Sequence, residues 1–298
     1  MLGELLSLGC ALTWATGVIL FKRSEAVSPA SINLYKNTVT LGLLGVTMLV
    51  AGITVDTGRS SEDWARLIVS GVLGIAIADT MFFTALRRIG PGLLAITGCV
   101  YAPLVVLFST WLLGESIGMA FLAGAALVVL GVALATWQRP GTPSPASALP
   151  RRAQLRAVGI ALLAECFMAF GIVIAKPALE RSNLVEVTTI RLLAGTAALL
   201  LMLAPLPNGR VLLRIFRPQP VWRTLLPATF LGTYVSMILW LGGMKYTTAS
   251  VSSILSQMSV IFTLLLAHVF LGESLSQRRI VGGGAALLGT AVILLWAQ

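Results

Sequence analysis

Ten long apolar runs separated by short polar segments dominate the hydrophobic pattern of this 298-residue chain. Each run is long enough to cross a hydrocarbon core of about 30 Å as an α-helix. Helix is predicted throughout, because lipid-facing backbone must satisfy its own hydrogen bonds and the runs do not alternate like barrel strands. We predict an all-α integral membrane protein whose spans are 4–22, 30–52, 65–86, 91–113, 118–137, 157–178, 184–204, 222–243, 248–270 and 278–297.

A six-residue motif recurs at matched places in the pattern. WLLGES at Trp111–Ser116 returns as VFLGES at Val269–Ser274, so that 158 residues separate Glu115 from Glu273. The same interval pairs Trp64 with Trp222, Gly74 with Gly232, Gly124 with Gly282, and Gly131 with Gly289. At an interval of 154–155, Gly17 falls on Gly171, Lys22 on Lys176, and Lys36 on Arg191. The pattern indicates an internal duplication.

Five spans in each half predict an inverted relation between the halves, because an odd number of crossings makes the second half enter from the opposite side. We expect a first five-helix repeat at 1–138, a linker at 139–152 and a second, inverted five-helix repeat at 153–298. The linker sequence RPGTPSPASALPRR is rich in proline and serine, which is typical of a connecting segment.

Composition and charge support a membrane location. Hydrophobic residues make up 57% of the chain and charged residues 11%, with a mean hydropathy of +0.93. The formal net charge is +10, but the basic residues fall between the apolar runs, which favours contact with anionic lipid over nucleic-acid binding. Fourteen basic residues fall in the loops after the odd-numbered spans and five in the loops after the even-numbered ones. The positive-inside rule therefore predicts that both termini are periplasmic.

The two LGES turns, the five-plus-five repeat and the length of the chain resemble the drug/metabolite transporter superfamily, in particular the ten-helix EamA-type exporters of bacteria. The resemblance implies a carrier of the bacterial inner membrane with a central cavity walled by the first four helices of each half. It also implies that the fifth and tenth helices form an outer scaffold. Members move amino acids, purines, drugs or sugar-linked metabolites, so the resemblance implies a class and leaves the substrate open.

Polar residues inside the second span form the longest candidate surface for a site. Asn33, Lys36, Asn37 and Thr40 follow i, i+3, i+4, i+7 spacing and so share one helix face. Arg191 lies at the matching position of the seventh span. Two interpretations remain open: a wet cavity wall whose cations meet a substrate anion, or cations that extend to the membrane interface.

Two acidic residues lie within spans. Asp79 lies near the middle of the third span with no cation within a helical turn of the same span, which makes it a candidate for binding a proton or a substrate ammonium. Pairing with a hydroxyl or an arginine is the structural alternative. Glu165 is a weaker candidate of the same kind, because it lies closer to the basic linker in the sequence.

Deep aromatic residues suggest a site that stacks a flat or apolar substrate. They are Trp14, Tyr101, Tyr234 and Trp240, on the first, fourth and eighth spans. Gln257 in the ninth span is too polar to face lipid. The predicted substrate site comprises Trp14, Asn33, Lys36, Asp79, Tyr101, Tyr234, Trp240 and Gln257, with Arg191 as a further member. One cation, one carboxylate and an amide among aromatic faces suit a zwitterion with an apolar or aromatic side chain.

The glutamates of the LGES turns are interpreted as structural. We expect Glu115 and Glu273 to cap the helices that follow them, with help from Ser116 and Ser274, because a carboxylate at a helix N terminus meets free N–H groups. His268 is the single histidine, which does not suffice for a metal site.

An enzymatic function is not indicated, because the sequence contains no phosphate loop, zinc-ligand spacing or nucleophile beside a histidine. We expect no cofactor and no ATP-binding domain. The favoured function is a secondary transporter that exports small metabolites, most of all aromatic or apolar amino acids or related drugs, by alternating access. Its expected partners are the substrate and the lipid bilayer, and a monomer suffices because the duplication supplies both halves. The alternative is a passive channel or a non-transporting membrane scaffold.

Overall fold

A computed structural model describes residues 1–114, 119–137, 149–205, 212–246 and 249–296, and these contain ten long helices. The first half contains α1 (Leu2–Lys22), α2 (Pro29–Ala51), α3 (61–89), α4 (91–113) and α5 (Met119–Thr136). The second contains α6 (Arg151–Glu180), α7 (Leu184–Leu203), α8 (222–246), α9 (Ala249–Leu271) and α10 (Gln277–Trp296). The predicted all-α membrane fold, with ten spans in two inverted repeats, is confirmed.

Local sequence explains where several helices begin and bend. Ser28 and Asn183 cap α2 and α7 through side-chain oxygens that accept backbone N–H groups. Gly90 separates α3 from α4 with φ 77° and ψ 165°, values that favour glycine, and Pro91 then begins α4. The helix α6 begins at Arg151, six residues before the predicted span, because the end of the linker is already helical.

Each half contains a π-helical segment, and the two segments are at equivalent positions. Val72–Ala78 forms it within α3, and Phe230–Val235 forms it within α8. Gly74 and Gly232, near the centres of the two segments, are related by the interval of 158 residues. Wider helical turns of this kind are common at functional positions.

The main helix contacts join one half of the protein to the other. The helix α1 packs on α8 and α9, and its counterpart α6 packs on α3 and α4. The pairs α2–α7 and α5–α10 are each formed by repeat counterparts. Glycines line the α5–α10 contact: a Cβ added to Gly124 would lie 2.6 Å from the carbonyl oxygen of Gly289. Close approach of backbones through small residues is a usual way for membrane helices to associate.

Six helical stretches of the described residues are long and apolar enough to cross a membrane, judged by length and composition. They are Leu2–Lys22, Pro29–Ala51, Ser61–Gly98, Arg151–Glu180, Leu184–Leu203 and Trp222–Gly243. The shorter apolar helices include Tyr101–Leu113, where α4 resumes after a turn at Cys99 and Val100. Pro103 explains this interruption, because it has no N–H to donate to the carbonyl of Cys99. The hydroxyl of Thr290 on α10 donates to that carbonyl at 3.5 Å instead.

Candidate functional site

The polar stripe of α2 is buried inside the protein. Asn33, Lys36, Asn37 and Thr40 are each at most 7% exposed. The Nδ2 of Asn33 donates to the backbone oxygen of Ile75 at 2.8 Å, which fixes α2 against the π-helical segment of α3. The amide of Asn37 and the hydroxyl of Thr40 have no hydrogen-bond partner among the described residues. This face is therefore directed to protein and polar groups and away from lipid.

Lys36 and Asp79 form an ion pair. The Nζ of Lys36 lies 2.8 Å from the Oδ2 of Asp79, and both side chains are largely buried. Asp79 on the third span is thus paired with a cation from the second span. A buried charge that is paired costs far less than an isolated one, so this contact allows both residues to lie inside the membrane.

Arg191, the repeat counterpart of Lys36, makes a different contact. Its Nε donates to the hydroxyl of Ser70 at 2.8 Å, so that it joins α7 to α3. Its charge also interacts electrostatically with Tyr101 and Asp79. The charges of Lys36 and Arg191 therefore both act on Asp79.

A cavity of about 180 Å³ lies between the halves, and we call it the central cavity. Its aromatic wall is formed by Trp14, Phe82 and Tyr101, with the rings of Trp14 and Phe82 6.0 Å apart. Its polar groups include the carboxyl of Glu165 and the amide of Gln257. The walls come from α1, α3 and α4 of the first half and from α6 and α9 of the second.

The lining of the central cavity contains residues that the duplication relates to one another. Trp14 on α1 corresponds to Met168 on α6, and Tyr101 on α4 corresponds to Ser259 on α9; all four line the cavity. Phe82 on α3 corresponds to Trp240 on α8. The cavity thus lies where the two inverted halves face each other, which is where carriers of this architecture bind substrate.

The structure brings only part of the predicted set together. Trp14, Tyr101 and Gln257 line the central cavity, while Asn33, Lys36, Asp79 and Arg191 form the contacts described above. Tyr234 lies against α2, where its hydroxyl is 2.7 Å from that of Thr47. Trp240 is half-buried and is not among the cavity-lining residues described here.

Sequence reasoning missed cavity residues with apolar or small side chains, among them Phe82, Met168 and Thr263. The repeat interval is the signal that points to two of them, because Phe82 and Met168 are the counterparts of the predicted residues Trp240 and Trp14. Glu165, treated as the weaker acidic candidate, lines the cavity, and Asp79 does not.

The capping role expected for Glu273 and Ser274 is wrong. Ser276 is the N-cap of α10, since its hydroxyl accepts the N–H of Arg279 at 3.3 Å. Glu273 is buried and its Oε2 lies 3.1 Å from Nη1 of Arg279, while the hydroxyl of Ser274 has no hydrogen-bond partner among the described residues. The turn to α10 places the glutamate three residues too early to cap that helix. Glu115 and Ser116 lie outside the described residues.

Comparison with known proteins agrees with this architecture. The model of the EamA-like transporter family matches residues 1–137 and again residues 155–295. Protein PecM of Dickeya dadantii (strain 3937) is 26% identical over 249 residues, which cover 80% of this chain and 77% of PecM. A solved crystal structure of 19% sequence identity matches 99% of this chain and 97% of its own with a TM-score of 0.67, which supports the fold. With a family match in each half of a ten-helix fold, the chain belongs to the EamA-like transporter family.

Proposed function

We propose that the protein is a secondary carrier that exports small amine-bearing metabolites, first of all amino acids with apolar or aromatic side chains. The observation that carries the proposal is the carboxyl of Glu165 inside an aromatic-walled cavity between the two halves. Among the described residues Glu165 has no ion-pair partner, whereas Asp79 is paired with Lys36. An ammonium group of the substrate would supply the missing counter-charge.

The rest of a zwitterion also finds suitable groups. The hydroxyl of Tyr101 and the amide of Gln257 can donate to a carboxylate, and the charge of Arg191 acts on Tyr101. The rings of Trp14 and Phe82 offer an apolar surface to the side chain of the substrate. Flat organic cations are the second class, because they would use Glu165 and the aromatic wall alone.

The size of the central cavity favours a small substrate. Its volume of about 180 Å³ is below the range of about 300–1,000 Å³ that is usual for pockets of drug-sized ligands. An amino acid is therefore a better match than a large drug in the conformation of this structure.

Alternating access follows from the inverted duplication, because exchanging the conformations of the halves gives a second state of similar energy. Trp240 is the counterpart of Phe82, so this exchange would bring Trp240 to the cavity in the second state. The site as proposed includes Trp240 in that role, and Tyr234, Asn33, Lys36, Asp79 and Arg191 as its polar surroundings.

The test is uptake of labelled phenylalanine, leucine and ethidium into proteoliposomes, with and without a pH gradient. Glu165→Gln and Gln257→Leu should each weaken binding by about 1–3 kcal/mol, or roughly ten- to hundred-fold in affinity, because each removes a buried polar contact. Glu62→Gln is the matched control, since Glu62 pairs with Arg66 at the surface. Transport by both cavity variants at the level of the parent would refute the proposed site.

We also propose that the protein lies in the bacterial inner membrane with both termini in the periplasm. The fourteen basic residues of the loops after odd-numbered spans support this orientation. A reporter that is active only in the cytoplasm should stay silent when it is fused after Gln298. A strong signal from that fusion would reverse the orientation.

A further inference from the structure

The junction between α3 and α4 leaves a helix N terminus to be satisfied. Gly90 has a positive φ, and Pro91 begins α4. The N–H of Gly92 lies in the first turn of α4, where helical N–H groups have no carbonyl partner within their own helix. This end of α4 also carries the positive end of the helix dipole.

The carboxyl of Glu273 meets this N terminus from the other half of the protein. Its Oε2 accepts a hydrogen bond from Nη1 of Arg279 at 3.1 Å and lies against Gly92, and its side chain is 3% exposed. A Cβ on Gly92 would lie 2.8 Å from Oε2 of Glu273, so an added methyl group would push the carboxylate away from α4. The carboxylate of Glu273 therefore faces the N terminus of α4 across the interface between the repeats.

The turn that carries Glu273 is held in place independently of this contact. The Nδ1 of His268 lies 2.8 Å from the backbone oxygen of Glu273, and Arg279 donates to the backbone oxygen of Ser274 at 3.4 Å. The turn thus presents its carboxylate to α4 from a fixed position at the end of α9.

The contact also lies between two cavities. Pro91, next to Gly92, lines the central cavity. Glu273 lines a second cavity of about 550 Å³, whose walls include Lys22, Arg23, Arg87 and Arg88. We call the side of the protein with these four residues the basic face. The start of α4 thus adjoins the central cavity, and the turn with Glu273 adjoins the second one.

We infer that Glu273 is a positioning residue of the transport cycle: its contact with the N terminus of α4 keeps the central cavity closed towards the basic face, and release of this contact opens that face. The inference rests on the proposed carrier function. It gives the second LGES motif a role at a gate between the halves, which a local cap of α10 would not provide.

The test measures access to the central cavity with a cysteine at Ser259, in a protein whose Cys10, Cys99 and Cys166 are replaced by alanine. A membrane-impermeant maleimide is added to vesicles of each orientation, and a cysteine at Arg88 identifies the basic face. Glu273→Gln should raise the labelling rate from the basic face by about tenfold, because a neutral amide interacts less strongly with Arg279 and with the positive end of α4. Glu273→Asp should give an intermediate rate.

A second variant keeps every charge. Gly92→Ala should displace the carboxylate by steric overlap and raise labelling from the basic face to a similar extent. Ser276→Ala is the matched control, because it removes the N-cap of α10 from the same turn and leaves the contact with α4. Thermal unfolding of each variant in detergent checks that the protein is folded.

Labelling from the basic face that stays within about twofold of the parent in both Glu273→Gln and Gly92→Ala would overturn the inference. An equal increase in Ser276→Ala would also overturn it, since the turn alone would then be responsible. Labelling requires no substrate, so failure of phenylalanine or leucine transport would count against the proposed substrates and leave this result standing.

Discussion

Two helix crossings are equivalent by the duplication, but the helices approach each other more closely at one crossing than at the other. A Cβ on Gly232 of α8 would lie 2.6 Å from the Cα of Gly17 on α1. At the equivalent crossing of α3 and α6, a Cβ on Gly74 would meet only the guanidinium of Arg191, at 3.7 Å. The repeats therefore share their glycines but adopt different conformations. Such asymmetry between equivalent interfaces is what alternating access by exchange of the halves requires.

The contact of α5 with α10 differs from both crossings, because it is symmetric. A Cβ on Gly282 would lie 2.5 Å from the oxygen of Gly131, and a Cβ on Gly289 would lie 2.5 Å from the oxygen of Gly124. Because this interface makes the same contacts from both halves, exchanging the conformations of the halves would leave it unchanged. This observation agrees with a scaffold role for these two helices and locates the asymmetry in the other eight.

The largest effect is expected at the two equivalent cations of α2 and α7. Lys36→Met leaves the carboxylate of Asp79 buried and unpaired, which should lower the free energy of unfolding by about 3 kcal/mol. Arg191→Met removes the hydrogen bond to Ser70 and a charge that acts on Asp79, but Asp79 keeps its ion pair with Lys36, so the cost should be clearly smaller. Thermal unfolding in detergent measures both. The double variant Lys36→Met, Asp79→Asn should recover most of the loss, and equal losses for Lys36 and Arg191 would remove this difference between the halves.

The two crossings themselves should respond unequally to one added methyl group. Gly232→Ala overlaps the backbone of α1, which cannot move aside as a side chain can, and should cost about 2 kcal/mol. Gly74→Ala meets a flexible guanidinium and should cost little. Unfolding of the two variants, measured side by side, is the check. Similar losses at both positions would contradict the asymmetry of the structure.

The gate contact at Glu273 should depend on pH. Burial raises the pKa of the Glu273 carboxyl above its ordinary value, and Arg279, the N–H of Gly92 and Lys22 oppose this effect only in part. The carboxyl therefore takes up a proton at a higher pH than an exposed glutamate, whose pKa is about 4.3. Because a neutral carboxyl interacts less strongly with Arg279 and with the positive end of α4, labelling of the cysteine at Ser259 from the basic face should rise as the pH falls.

His268 lies next to the same turn and provides the control for this titration. The pH-dependent step should persist in His268→Gln and should disappear in Glu273→Gln, which should label rapidly at every pH. A step that is lost in His268→Gln and kept in Glu273→Gln would assign the titration to the histidine.

The smallest effect concerns a hydrogen bond that one half has and the other lacks. The hydroxyls of Tyr234 and Thr47 join α8 to α2, whereas their counterparts Ala76 and Met202 cannot form such a bond. Tyr234→Phe should cost about 1 kcal/mol of stability. No measurable change in thermal unfolding would show that this bond does not contribute to the difference between the halves.

The sequence predicted the helices and the duplication because both depend on patterns that recur along the chain. The length of an apolar run identifies a membrane span, and the fixed interval between Glu115 and Glu273 identifies the duplication. Neither prediction requires knowledge of a contact in the fold. The π-helical segments were not predicted, because one extra residue in a helical turn leaves no mark on the hydrophobic pattern of a single sequence.

The site was predicted only in part, because its contacts join helices that are distant in the sequence. Asp79 lacked a cation within its own span, and Lys36 reaches it from α2. Glu165 was ranked low for its proximity to the basic linker, yet α6 begins at Arg151, so Glu165 lies about 21 Å along the helix axis from its start. The expectation that Glu273 caps the following helix rests on residues close to it in the sequence, whereas Gly92, which it contacts, is in the other half.

The most direct test of exchange between the halves is a pair of distances measured by double electron–electron resonance. One pair of spin labels replaces Arg88 and Phe270 at the basic face, and the other replaces their repeat counterparts Tyr246 and Leu112, all four of which are exposed. Addition of phenylalanine, or a change of pH, should lengthen one distance and shorten the other within the same protein population. Distances that lengthen together, or that both stay fixed while transport proceeds, would contradict alternating access by exchange of the two halves.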